Sequence, residues 1–192
     1  MQRHRTRMNY NDRFQAAIIK TNELNLPITP IKFGNPLSDD FIRNIVGFGI
    51  EMLNRMGLTD SKKLASKCVP VNFYLNKLLE SELGIKSYVT IGDRYWNEND
   101  IYCEMSYEKI VSELDKPNIQ ETIDAHVWLT LTDGTVIDFT SEAHIDVLEG
   151  RGCFPSTECF QVIKLNENVE KGFHRPFLVG DEFLYKTGCI QL

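Results

Sequence analysis

Three residue types that together can make an activated thiol occur in this chain in the order cysteine, histidine, aspartate: Cys68, His126 and Asp138. Cys68 precedes Val69-Pro70 at the mouth of an apolar, helix-periodic stretch. Unsatisfied N–H groups and the dipole at a helix start stabilise a thiolate. A cysteine so placed, paired with a histidine that a third group orients, can attack an acyl carbon. Cys103, Cys153, Cys159 and Cys189 lack such a setting and read as small hydrophobes.

His126 and Asp138 are brought together by the register of a hairpin. The strands Ala125–Leu131 and Thr135–Thr140 flank Thr132-Asp133-Gly134. A two-residue turn would bury Asp138 among Val127, Leu129 and Leu131. A three-residue turn with Gly134 in the left-handed region sets Leu131 opposite Thr135. It sorts Val127, Leu129, Leu131, Ile137 and Phe139 onto one face. His126, Trp128, Thr130, Val136, Asp138 and Thr140 fall on the other; the alternative to a catalytic pair there is a partly exposed His and Asp on a solvent face. A one-residue slip would invert every side chain, so the apolar sorting selects the second register. His126 and Asp138 are then diagonal neighbours with Cβ atoms about 7 Å apart or somewhat less. Leu129→Ala is expected to cost about 2–5 kcal/mol, and Asp138→Asn much less.

The segment Cys68-Val-Pro-Val-Asn-Phe-Tyr-Leu-Asn-Lys-Leu-Leu-Glu-Ser-Glu-Leu-Gly-Ile-Lys-Ser-Tyr-Val-Thr-Ile-Gly92 resembles the nucleophile helix and following strand of the transglutaminase-like superfamily. His126-Val-Trp-Leu, then Asp-Gly, then Val-Ile-Asp138-Phe-Thr140 resembles that family's histidine strand and later Asp-x-Thr strand. The likeness spans about Ser61 to Thr140. Val127 and Phe139 depart from the commoner residues, and Lys62-Lys63…Lys67 lacks a glycine often found before the nucleophile. The resemblance implies a permuted papain-like core, with a helix packed on an antiparallel sheet.

With Cys68, His126 and Asp138 as a triad, His126 shares the Cys68 proton and Asp138 fixes the imidazole. The thiolate attacks an amide carbonyl and forms a thioester, with the Cys68 backbone N–H as an oxyanion donor. Trp96 and Asn72 are candidates for the second donor, and Trp128 for a wall of the acyl site. Water as acceptor gives a peptidase or glutamine deamidase, the favoured reading, acting on a protein or peptide. An amine as acceptor gives a transglutaminase or acyltransferase. A non-catalytic binding module on the same fold is the rival from another class. Zinc on His126, Asp138 and Cys68 is a further alternative. Cys153 and Cys159, six apart, lack the paired spacing of a structural zinc site. No metal or cofactor is expected.

The elements that must position these groups read as helices first and strands later, an α+β pattern. Asn9 to about Asn25 forms a helix with Phe14, Ala17, Ile18 and Leu24 on one side. Leu26–Pro36, with three prolines and a glycine, is a loop. Ser38 caps a long helix carrying Phe41, Ile42, Ile45, Phe48, Met52, Leu53 and Met56 and ending near Gly57. Gly47 and Gly49 weaken it unless close packing requires them. The Cys68 helix buries Val71, Leu75, Leu78, Leu79 and Leu83, with Gly84 as its C′ residue. A strand follows over Lys86–Gly92. Asp93–Ala125 is polar and irregular, with a short helix at Tyr107–Leu114. Phe160–Leu165 and Glu182–Tyr185 are weaker strand candidates. One domain over 1–192 is expected, with a core from about 38 and an N-terminal helical extension over 1–37.

With 192 residues, 42% hydrophobic and 25% charged, the chain has globular composition. The 21 Lys and Arg against 27 Asp and Glu give a net charge of −6, which disfavours nucleic acid as a partner. No apolar run is long enough to span a membrane. The basic stretch Met1–Arg7 lacks the apolar segment of a secretory signal. Five sparse cysteines suit a reducing, cytoplasmic compartment. Oligomeric state is not encoded in any feature read.

Overall fold

The computed structural model describes residues 9–26, 28, 30–117 and 123–190; the basic stretch at 1–7 lies outside them. The chain is α+β: helices packed on a curled antiparallel sheet. Among the described residues no helix is long and apolar enough to cross a membrane.

Helix α1 (Tyr10–Glu23) starts where Asn9 accepts from the Asp12 N–H, and buries Phe14, Ala17, Ile18 and Thr21. Helix α2 (Asp39–Arg55) is capped by Ser38, with Asp39 and Asp40 in its first turn. Its buried stripe is Ile42, Ile45, Gly49, Ile50 and Leu53, while Phe41 and Met56 flank it and stay exposed. A short helix α3 (Ser61–Leu64) leads into α4 (Cys68–Leu83). Helix α4 ends at Gly84, whose φ of 64° supplies the left-handed C-terminal turn. The face of α4 turned to the sheet is Cys68, Val71, Asn72, Leu75, Asn76 and Leu79; Leu83 lies past that face and is exposed.

The sheet is built around β1 (Ser87–Asn97). One edge pairs first with β3 (His126–Leu131) and then, further along, with β2 (Asp100–Tyr102); the other edge pairs with β6 (Phe173–Val179). Strand β4 (Val136–Asp138) pairs with β3, and β5 (Gln161–Ile163) closes that side. Helices α5 (Tyr107–Asp115), α6 (Ser141–Leu148) and α7 (Glu182–Lys186) complete the chain.

Two expected elements are corrected and a third was missed. The strand expected to stop at Gly92 continues to Asn97, because the charges beyond it are paired. Arg175 donates twice to the buried Asp93 carboxylate at 2.6 Å, and Arg94 donates to the Gly172 and Ser141 carbonyls. Glu182–Tyr185, expected as a strand, is helical: Leu184 and Tyr185 N–H bond back to the Asp181 carbonyl. Such short apolar runs do not distinguish the two states. Strand β6 was not anticipated at all.

The hairpin has the three-residue turn. Leu129 pairs with Ile137 and Thr130 with Val136, and the Leu131 N–H bonds to the Thr135 carbonyl. Gly134 has φ of 87°. The Asp133 carboxylate accepts from the Thr135 N–H and hydroxyl and from the Leu37 N–H, which ties the preceding loop to the turn. The face carrying His126 and Asp138 is not a solvent face. Helix α1 covers it, with Tyr10 bonded to Thr130 and Trp128.

Candidate functional site

The site lies where the start of α4 meets the start of β3. Asn72, one turn into α4, donates to the Cys68 carbonyl at 3.0 Å and to the Val127 carbonyl of β3 at 2.8 Å. This strap holds the helix start against the strand. The Cys68 sulfur contacts the Ala125 carbonyl at 3.7 Å. Helices α1, α2, α3 and α5 each begin with a side-chain cap, whereas α4 begins at Lys67 with none. Pro70 has no N–H and Val71 N–H bonds to Lys67, so the Cys68 and Val69 N–H groups are the orphan donors of this helix end.

His126 and Asp138 meet across the hairpin as the register requires. His126 Nε2 is 2.5 Å from Asp138 Oδ2, and both side chains are buried. Cys68 lies beside the His126 ring and favours its charged form. With its thiol proton directed to Ala125, His126 Nδ1 is left buried and unpartnered. Burial opposes a charge on His126, but Asp138, with Cys68 adding, raises its pKa to about 9. Burial would raise the Asp138 pKa; the charge and hydrogen bonds of His126, then of His174, hold it well below the ordinary carboxylate range.

His174 is the residue that sequence reasoning missed. It sits on β6, and its Nε2 is 3.0 Å from the same Asp138 Oδ2. Burial, assisted by the nearby Arg94 charge, lowers its pKa to about 4. The signal was available in the alternation of His174, Pro176 and Leu178 against Phe173, Arg175 and Phe177, but a proline inside a run argues against a strand. Pro176 is tolerated because it stands at a β-bulge opposite Ile91–Gly92.

The remaining candidates take other roles in the geometry. Trp128 is fully buried beside His126, and its N–H is spent on the Tyr10 hydroxyl. Asn72 commits its amide donors to two carbonyls, which removes it as an oxyanion donor. Trp96 is half-buried and lies under the Arg94 guanidinium, 4.8 Å from its ring centre. Tyr102 packs edge-on against His126 at 5.2 Å and, tilted, against His144 at 4.5 Å. A pocket of about 330 Å³, lined by Met105, Ile110, Ile123, Phe183 and others, adjoins Ala125.

His126, Asp138 and His174 are also a potential metal set, with ligand atoms within 4.8 Å of one another. Each imidazole is already hydrogen-bonded to the carboxylate through Nε2, so these three groups hold together without an ion. Among the described residues, the buried side-chain polar atoms without a partner are Asn72 Oδ1, His126 Nδ1 and His174 Nδ1. All three belong to this site. Buried polar atoms are rarely left unpaired, and their concentration here marks the site off from the rest of the core.

No protein-family model, curated protein or solved structure matches the chain.

Proposed function

We propose that the protein is a cysteine-dependent acyl-transfer enzyme of transglutaminase-like type, with Cys68 as nucleophile, His126 as general base and acid, and Asp138 as the group that orients the imidazole. The observation that carries this reading is the buried, unpartnered Nδ1 of His126 beside Cys68, while Nε2 is pinned to Asp138. Buried side-chain nitrogens are mostly paired, and at His126 the free one is the one beside a thiol.

Cys68 and His126 react as a thiolate–imidazolium pair, with the Cys68 proton held on His126 Nδ1. The thiolate attacks an amide carbonyl carbon, and the oxyanion is held by the Cys68 and Val69 N–H groups. The C–N bond breaks as the imidazolium returns its proton to the leaving nitrogen. Water, deprotonated by His126, then cleaves the thioester to the acid and the free thiol. Peptide hydrolysis and glutamine deamidation share this sequence. An amine in place of water gives the transglutaminase or acyltransferase outcome.

The test is alkylation by iodoacetamide at pH 6, read peptide by peptide. Burial pushes the Cys103 and Cys159 thiols up to about 12 and raises that of Cys189, so none of these should compete. The stringent internal standard is Cys153, which is exposed. Cys68, though buried, is expected to label at least tenfold faster than Cys153 and to lose that advantage in His126→Ala. Labelling no faster than Cys153 favours a binding module.

A further inference from the structure

Asp138 holds four hydrogen-bond donors. Oδ1 accepts from the Thr140 N–H at 3.0 Å and the Thr140 hydroxyl at 3.1 Å, and Oδ2 accepts from His126 and His174. Thr140 alone therefore fixes the carboxylate plane, and a second imidazole is not needed for orientation. We propose that His174 is a positioning residue that acts through Asp138: as a neutral Nε2–H donor it shares Oδ2 with His126 and weakens the carboxylate's hold on the His126 proton. This rests on the thiol-enzyme reading above and adds to it the group that tempers its base.

The charges around the pair leave His174 one workable state. Facing the two imidazoles are Asp138 on β4, Cys68 on α4, Arg94 on β1, Tyr102 on β2 and His144 on α6. Glu142 on α6 is 3.8 Å from Arg94 and offsets part of its charge. Arg94 is permanently cationic, and His126 is held as an imidazolium. A third buried cation on a single carboxylate would be uncompensated. A neutral His174 must then carry its proton on Nε2 to donate to Asp138. Nδ1 is left as a bare acceptor, in agreement with its lack of a partner. The donated bond withdraws charge from Oδ2. His126 can therefore release its proton to a leaving group more readily than an unshared aspartate would permit.

The test reads protonation directly. Nitrogen NMR of the wild-type protein at pH 7 is expected to show His174 as the neutral Nε2–H tautomer. An imidazolium or an Nδ1–H tautomer there overturns the proposal. In His174→Leu the His126 titration is expected to move upward by about 0.5 in pH, since Asp138 is no longer shared. In His174→Gln, which keeps an amide donor, it is expected to return to the wild-type value. An unchanged His126 titration in a folded His174→Leu protein, or equal shifts in both variants, overturns it. Should His174→Leu not fold, the wild-type tautomer and the Gln variant still decide. Failure of Cys68 to outpace Cys153 in alkylation is a separate result, which removes the enzyme reading without altering the tautomer.

Discussion

On one face of the β3–β4 hairpin lie Val127, Leu129, Leu131, Ile137 and Phe139; on the other lie His126, Trp128, Thr130, Val136, Asp138 and Thr140. Every one of them is at most 3% exposed. The first face is stabilised by burial against α2 and α4, which is non-directional and tolerant of detail. The second is dry as well, and its polar atoms are paired one by one, His126 Nδ1 excepted: Thr130 with Tyr10 at 2.6 Å and Thr90 at 2.7 Å, Trp128 with Tyr10 at 2.9 Å, and Asp138 with two histidines and Thr140. A satisfied buried network rigidifies its members, while a broken one is costly. A hydrophobic face can position a strand, but only the second kind of face can position a proton.

The sharpest way to break this contrast is one substitution on each face. Asp138→Asn places an amide donor among four donors and removes the charge that His126 is paired with. Loss of one partner of a buried pair costs about 3–5 kcal/mol. Leu129→Ala is expected to cost about 2–5 kcal/mol through transfer and cavity terms. Denaturant unfolding should therefore place the two variants close together. This revises the expectation that Asp138→Asn costs much less stability than Leu129→Ala, because the carboxylate is buried and paired. A variant with Asp138→Asn as stable as wild type would mean the polar face is wet.

A smaller effect is the pH dependence that the polar face alone imposes. His126 has its pKa raised to about 9, so it holds a proton in the folded state that the unfolded chain releases near 6.5. Its contribution is fully present below about 6.5 and is lost as pH rises toward 9. His174 has its pKa lowered to about 4, so the unfolded chain takes up a proton that the folded state refuses. That group costs stability as pH falls from about 6.5 toward 4. Stability is therefore expected to peak near pH 6.5 and to fall by on the order of 2 kcal/mol on each side. His126→Ala should flatten the alkaline limb and His174→Gln the acidic one, while Leu129→Ala should lower the whole curve without changing its shape.

The apolar face was legible in the sequence because parity and turn chemistry are local. Gly134, the alternation and the three-residue turn suffice to set which residues share a face, and hence the diagonal between His126 and Asp138. That the second face is buried was not legible, because its cover comes from α1, more than a hundred residues earlier. The Ser38 cap, the Gly84 terminus and the Cys68 helix start were likewise local and readable. Strand β6 was hidden for two physical reasons. Pro176 breaks the strand pattern unless a bulge beside it in its own strand absorbs it, and the charges of Asp93, Arg94 and Arg175 look solvated until they are paired across strands. His174 was lost with that strand. Helix α1, read as part of an extension, contributes Tyr10 to the cover of the site's face.

The smallest effects come from two glycines two residues apart on α2, and they test how tightly the apolar face is packed. A Cβ on Gly49 would run into the ring of Phe139, which belongs to that face. A Cβ on Gly47 would meet nothing within 4 Å. In an exposed helix interior, replacing glycine by alanine gains about 1 kcal/mol from backbone entropy. Gly47→Ala should therefore raise the melting temperature. Gly49→Ala gains the same entropy, but it must displace a buried aromatic ring, and overpacking of this kind costs about 1–3 kcal/mol. Its melting temperature should fall. The pair shares helix, sequence neighbourhood and chemistry, so opposite signs isolate the contact with Phe139. Equal stabilisation by both would mean that the ring can shift without cost and that the apolar face is looser than the polar one. The observed approach of backbone to ring argues the reverse: the face without hydrogen bonds is held by contact alone, and contact is what Gly49 permits.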